Sequence, residues 1–245
     1  MDRAAPPGGH ARSRLYALVR GGVPNGRLRP LEKNLSGVSI WLQPARRLSE
    51  TKELPFGARG EGMRKLKLQT QVSIDGYMSG PNGEMDWMTL ALDDGYIRYL
   101  TDLTAPVDGI VLGRKLAEGF IPHWASNPEG EPPEFVAKMN DTKKTVFTKT
   151  LKTSPWPNVT LARGDLGEEI DALKRAPGGD LIAYGGGTFI SGLIGRGLID
   201  ELHLMVNPVA LGSGMRVFGG RSAFELVGAS TFSCGIAILQ YRPKR

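Results

Sequence analysis

The pattern of apolar and polar positions changes character at residue 63. Residues 1–62 show no sustained period of 2 or 3.6 and are rich in Gly, Pro and Arg, as in Pro6-Pro7-Gly8-Gly9 and Pro24-Asn25-Gly26. Such a stretch buries too little apolar surface to offset the entropy of ordering it, so a disordered basic leader is expected. Met63 then opens a clean strand, Arg64 to Val72, and reads as a natural start, with the leader an upstream misreading or an appended segment. An organelle-targeting role for the leader is the weaker alternative.

From Met63 to Arg245 strands and helices alternate. A turn-rich loop from Asp75 to Gly83 ends near Trp87, and a helix is predicted over about 93–104. A buried strand follows at Gly109-Ile110-Val111-Leu112, then a short helix opening on Gly113-Arg114-Lys115. Pro132-Pro133 starts another helix through Met139, because proline is tolerated in a first turn. Strands are predicted at Thr145-Val146-Phe147-Thr148 and Val159-Thr160-Leu161, a helix over Leu166 to Arg175, and a strand over Asp180 to Tyr184. That strand runs into Gly185-Gly186-Gly187 and a helix to about Arg196. A long strand from Glu201 to Val209 and two late strands, about 223–231 and 235–242, complete the pattern. Repeated strand–helix–strand units predict an α/β fold with a mainly parallel central sheet, helices on both faces and a closing antiparallel C-terminal strand pair. Ligands of such sheets bind at the carboxyl ends of the strands.

Charge changes the picture only by its location. The chain carries 31 Lys+Arg and 25 Asp+Glu, but eleven of the former and five of the latter lie in residues 1–62, leaving 20 of each in residues 63–245. The predicted domain is therefore neutral, which argues against nucleic acid as its partner. No apolar run is long enough to span a bilayer. Cys234 is the single cysteine, so no intrachain disulfide forms and a reducing cytoplasm fits best. One cysteine and three scattered histidines also lack the paired spacing of zinc ligands, and no metal is expected.

Candidate chemistry gathers at three strand ends. Tyr184-Gly185-Gly186-Gly187-Thr188-Phe189 is a strand running through glycines into a helix, where free backbone N–H groups and the helix dipole suit a pyrophosphate. By itself this turn is as well explained by packing. Leu112-Gly113-Arg114-Lys115 repeats the arrangement with two cations, and Thr148-Lys149-Thr150 adds hydroxyls around a third. Together they predict a dinucleotide site, with Arg114 suited to bidentate phosphate contact. P-loop, nucleophile-elbow and zinc-protease signatures are absent from the sequence. Asp93-Asp94 at a helix start is the best carboxylate pair for proton transfer to substrate, although acids favour helix starts for dipole reasons alone.

In this order, Ser73-Ile74-Asp75-Gly76, Leu112-Gly113-Arg114-Lys115, Tyr184-Gly185-Gly186-Gly187-Thr188, Gly197-Leu198-Ile199-Asp200-Glu201-Leu202 and Asn207-Pro208-Val209-Ala210-Leu211-Gly212 resemble the dihydrofolate reductase-like superfamily. The likeness is greatest to the bacterial reductase domain of riboflavin biosynthesis. The resemblance implies an NADPH-dependent reductase acting on a small heterocyclic (pterin- or pyrimidine-like) or ribosyl substrate. It implies that Gly113 and Arg114, with Lys115 nearby, hold phosphate, and that Thr148 and Lys149 lie near the adenosine 2′-phosphate. Gly185, Gly186, Gly187, Thr188 and Phe189 would cradle the pyrophosphate. Asp75 to Met78 would belong to the loop over the nicotinamide, and Trp87 to the substrate-side wall. Folate reductases of the superfamily place an acid where this chain has Leu92, with Asp93 and Asp94 just beyond. The zinc deaminase elements that accompany many riboflavin enzymes are not in the sequence, so a stand-alone reductase domain is expected. The apolar run Leu202 to Leu211 and the habit of these reductases predict a homodimer. The alternative is a non-catalytic nucleotide-binding homologue of the same fold.

Overall fold

The computed structural model describes residues 63–89 and 92–244, so the expected leader, residues 1–62, lies outside the described residues. The chain runs β1 (Leu66–Ser73), β2 (Tyr77–Ser79), α1 (Asp94–Thr104), β3 (Val107–Gly113), α2 (Arg114–Ala125), α3 (Pro133–Asp141), β4 (Lys143–Phe147) and β5 (Val159–Ala162). It continues α4 (Leu166–Arg175), β6 (Asp180–Tyr184), α5 (Gly187–Gly195), β7 (Glu201–Asn207), β8 (Met215–Arg216), β9 (Phe224–Thr231) and β10 (Ala237–Pro243).

Eight strands form one sheet in the order β5-β4-β3-β6-β1-β7-β10-β9. The first six pair in parallel, and β10 closes the sheet antiparallel to both β7 and β9. This is the expected α/β architecture. Successive side chains of a strand point to opposite faces, and β6 uses the alternation fully. Leu181 and Ala183 enter one core, packed under Ile170 of α4 and Ile190 and Leu193 of α5. Ile182 enters the other core, with Tyr96 of α1, Ala117 and Ile121 of α2, and Met139 of α3. A strand buried on both faces needs apolar residues at consecutive positions, which is why β6 reads Leu-Ile-Ala.

Several details differ from the sequence reading. The helix at Arg114 is not short; it runs twelve residues. The loop after β1 holds a three-residue strand, β2, which pairs with β8 in a separate small ribbon. Period-based reading misses both strands because neither is long enough to show an alternation. The apolar run from Leu202 is β7, an interior strand between β1 and β10, so its apolarity is explained by burial in the sheet. No helix among the described residues is long and apolar enough to cross a membrane.

Candidate functional site

Parallel strands all end on the same edge, and a cleft of about 680 Å³ opens there. Two βα connections, β3 into α2 and β6 into α5, build it together with the loop after β4. Gly113, Arg114, Lys115, Thr148, Lys149, Gly186, Gly187, Thr188 and Phe189 line it, so strand ends far apart in sequence are brought together. Gly185 does not line the cleft. A side chain there would come within 2.8 Å of the Phe189 ring, and a Cβ on Gly113 would sit 3.0 Å from Phe189 Cβ and 3.1 Å from its ring. Phe189 is thus wedged between two strand ends and against Phe147, with ring centroids 5.3 Å apart. Gly113 and Gly185 are needed for that packing.

Two of the helices that start on this cleft have glycine N-caps. Gly113 precedes α2 and Gly186 precedes α5, and neither helix has a side-chain cap. Two other helices carry side-chain caps: Asp93 accepts from Tyr96 N on α1, and Asp165 accepts from Gly167 N and Glu168 N on α4, while α3 starts on proline without one. A carboxylate cap satisfies one of the free amides of a helix start, and improves on a glycine cap by only about a few tenths of a kcal/mol. Its absence from α2 and α5 leaves orphan amides and two positive dipole ends facing one space.

Four cations, Arg114, Lys115, Lys149 and Arg196, share the lining with one carboxylate, Asp165. Arg114 Nη1 lies 2.5 Å from Glu118 Oε1, one turn along α2 and exposed. Lys149 Nζ donates to Arg163 O at 2.8 Å and Gly164 O at 2.7 Å, tying the β4 loop to the end of β5. An ammonium has three donors, so one N–H remains for a ligand. The Thr148 hydroxyl accepts from Thr150 N and Leu151 N, each at 3.1 Å, so it shapes the loop. Thr150 lines the cleft beside it. Asp165, Leu166, Arg196 and Met215 also line it and were missed. Asp165 caps α4 and holds Arg196 at 2.7 Å. That contact, with the amides of Gly167 and Glu168, lowers the pKa of Asp165 below the usual carboxylate value.

The residues expected on the substrate side fare differently. Both oxygens of Asp75 are taken: Ser73 Oγ donates at 2.6 Å, Leu211 N at 3.0 Å and Gly212 N at 2.7 Å. The serine hydroxyl first, then the two amides, lower its pKa to about 2. Asp75 is a brace between two loops. Met78 is buried in the core with Val72 and Val217, which corrects its assignment to substrate. Trp87 is half-buried, its indole N–H donating to Glu84 O. Its segment is fixed at Thr89, whose N–H donates to buried Asn207, itself bonded to Gln71.

Asp93 is corrected too. Ser233 Oγ, Tyr96 N and Cys234 N all donate to it, at 2.7, 2.8 and 2.9 Å, and hold its pKa near 2. A carboxylate so stabilised as an anion donates no proton at neutral pH. Asp94 stands exposed in the first turn of α1.

Comparison with known proteins agrees with this architecture. The family model described as the RibD C-terminal domain matches residues 64–238. The Bacillus subtilis (strain 168) protein "Uncharacterized protein YyaP" is 32% identical over 182 residues, covering 73% of this chain and 94% of its own. A second protein of that strain, "Uncharacterized protein YwjB", is 28% identical over 63% of this chain and 83% of its own. Among solved structures, the diaminohydroxyphosphoribosylaminopyrimidine deaminase/5-amino-6-(5-phosphoribosylamino)uracil reductase of Thermotoga maritima superposes with a TM-score of 0.54 at 16% identity. It covers 74% of this chain, which spans only 57% of that longer protein. The dihydrofolate reductase of Enterococcus faecalis, complexed with NADP(H), superposes with a TM-score of 0.50 at 15% identity, covering 74% of this chain and 97% of its own. The fold is dihydrofolate reductase-like, and the chain belongs to the family of RibD C-terminal domains.

Proposed function

We propose that the protein is an NADPH-dependent reductase of a small pyrimidine- or pterin-like heterocycle or its ribosyl derivative. The observation that carries the reading is the pair of glycine-capped helix starts, α2 and α5, opening into one cleft with Arg114 and Lys149. That donor set fits a ligand with several phosphate groups: backbone amides for a pyrophosphate and a guanidinium for a terminal phosphate. Phe147, Ala162, Leu166 and Phe189 supply an apolar floor for a base. When bound, the nicotinamide supplies the hydride; the chain positions it and the substrate. With Asp75 and Asp93 held as anions, the reading assigns the proton to water, and Asp94 to the dipole of α1.

A homodimer belongs to the same reading, with its contact moved off β7. The outer strand β9 ends the sheet and exposes Leu226 and Val227, a surface suited to pairing with a second copy. A reducing cytoplasm is proposed from the single cysteine.

The engagement of Asp93, one of the two sequence-predicted acids, favours one rival, a nucleotide-binding homologue without turnover. Fluorescence titration with NADPH, followed by NADPH oxidation with dihydropterin and ribosylaminopyrimidine substrates, separates the two. Tight binding with oxidation supports the reductase. Binding without oxidation of any such heterocycle supports the rival, and no binding at 1 mM refutes both.

A further inference from the structure

Met215 lies over the first turn of α5, and the reasons are local. β8 pairs with β2, Ser79 opposite Met215 and Tyr77 opposite Arg216. The Arg216 guanidinium sits 4.9 Å from the Tyr77 ring centre and donates to its hydroxyl at 2.9 Å, pinning that side of the ribbon. Gly214, with φ +143°, passes so close to the Ser79 carbonyl that no side chain fits there. The Met215 side chain then reaches Gly187, whose missing Cβ leaves room; a Cβ there would stand 2.7 Å from Met215 Cγ. The Gly187 N–H points at Met215 Sδ, 2.8 Å away.

A helix-start amide in a buried residue that borders the cleft is thus matched with a thioether, a weak acceptor. Backbone N–H groups of a free helix start bind anionic oxygen far better. Met215 is also 41% exposed and lines the cleft.

Building on the reading that the α5 start receives phosphate, we propose that Met215 is a gate over that cradle and a site of reversible oxidation. The sulfur holds the Gly187 amide until an anion displaces it. Hydrogen peroxide converts the thioether to a sulfoxide: the sulfur is oxidised by two electrons, one peroxide oxygen bonds to it, the O–O bond breaks, and water leaves. The sulfoxide oxygen is a strong acceptor and polar. It competes with phosphate for the Gly187 N–H, so the oxidised protein binds the nucleotide more weakly until methionine sulfoxide reductases restore the thioether.

The test compares NADPH dissociation constants for the full chain before and after peroxide, with oxidation at residue 215 followed by peptide mass spectrometry. Met63 and Met85 are comparably exposed, and Cys234 is a free thiol. Met215→Leu, which keeps all three, is therefore the control. Peroxide should weaken NADPH binding to the native protein by about tenfold, the equivalent of one hydrogen bond to a charged group. Treatment with both sulfoxide reductases should reverse the loss, and Met215→Leu should show no change on peroxide treatment, whatever its starting affinity. An equal loss in Met215→Leu overturns the proposal, as does unchanged affinity in native protein whose Met215 is fully oxidised. In both cases NADPH still binds before treatment and the reductase reading stands. Absence of NADPH binding before treatment refutes that reading, and the gate with it.

Discussion

The two edges of the central sheet use the same residue types in opposite ways. At the amino edge, cations are paired and partly desolvated: Lys174 with Asp200 at 2.8 Å, Lys67 with Asp180 at 2.9 Å, Lys65 with Glu201 at 3.0 Å, and Arg64 with Asp108. Several also donate to carbonyls, Lys67 to Leu103, Lys174 to Leu198, and Lys144 to Asn140 and Thr142. At the carboxyl edge, Arg114 and Lys115 stand near solvent and the helix starts end in glycine. One edge uses charge to fix the chain. The other keeps donors available, the arrangement that a phosphate-bearing ligand requires. Lysine and arginine content alone could not separate the two roles; position along the strands does.

The sharpest way to break that contrast is at Asp200. Its side chain and that of Lys174 are only 4% and 6% exposed, and it also accepts from Leu66 N at 2.8 Å. Removing one partner of a buried pair leaves the other charge in a poor environment, at about 3–5 kcal/mol. Asp200→Ala should lower the unfolding free energy by that order in urea titration while leaving the NADPH dissociation constant of the folded fraction unchanged. A binding defect matching the stability defect would mean that the two edges are not separate.

Acid probes the same edge. Burial pushes the Glu201 carboxyl up, but hydrogen bonds from His203 and Lys65, with their charges, outweigh it and bring the pKa to about 2. A folded-state value below the unfolded 4.5 stabilises the native state above pH 4.5, and that stabilisation is lost as pH falls toward 2. The stability difference between native protein and Glu201→Gln should therefore be large at pH 7 and shrink between about pH 4.5 and 2. A constant difference over that window would show that Glu201 does not act through its charge.

At the carboxyl edge the effect should fall on binding. Arg114→Ala should weaken NADPH by about 1.5–3 kcal/mol, the range for a hydrogen bond to a charged group, and NADH much less. Urea midpoints should stay close to native, because the Arg114 side chain is partly exposed and its pairing with Glu118 is a surface ion pair. Equal losses for the two cofactors would show that Arg114 does not read the extra phosphate.

Much of this was legible because long elements advertise themselves. The spans of α4 and β6 follow from periodicity and caps alone. The cleft was legible because three strand ends carried glycine, hydroxyl and basic residues in one topology, although Thr148 shapes a turn and Gly185 only makes room for Phe189. What escaped depends on contacts between distant segments. Nothing near Asp93 in sequence reveals that Ser233 and Cys234 will occupy its carboxylate, nor near Asp75 that Leu211 and Gly212 will. A two-residue strand such as β8 has no period, so Met215 could not be placed over α5 from the sequence.

The smallest expected effect refines the comparison at Glu118. This carboxylate holds Arg114 one helical turn away, and both side chains are partly solvated, 31% and 48% exposed. A pair of this kind contributes about 0.3–0.5 kcal/mol to a helix. Glu118→Gln should therefore cost no more than that in stability. The same carboxylate competes with an incoming phosphate for the guanidinium, so its neutralisation should tighten NADPH binding, by up to about twofold on the same energy scale. Surface charges act through solvent and are screened beyond about 8 Å at physiological ionic strength, so the gain should be clearest in low salt and fade as salt is raised. Calorimetric titration of native protein and Glu118→Gln at two ionic strengths reads both the sign and the fading. Weaker binding in the variant would mean that Glu118 orients Arg114 for the ligand, and that even the open edge is held in place by pairing.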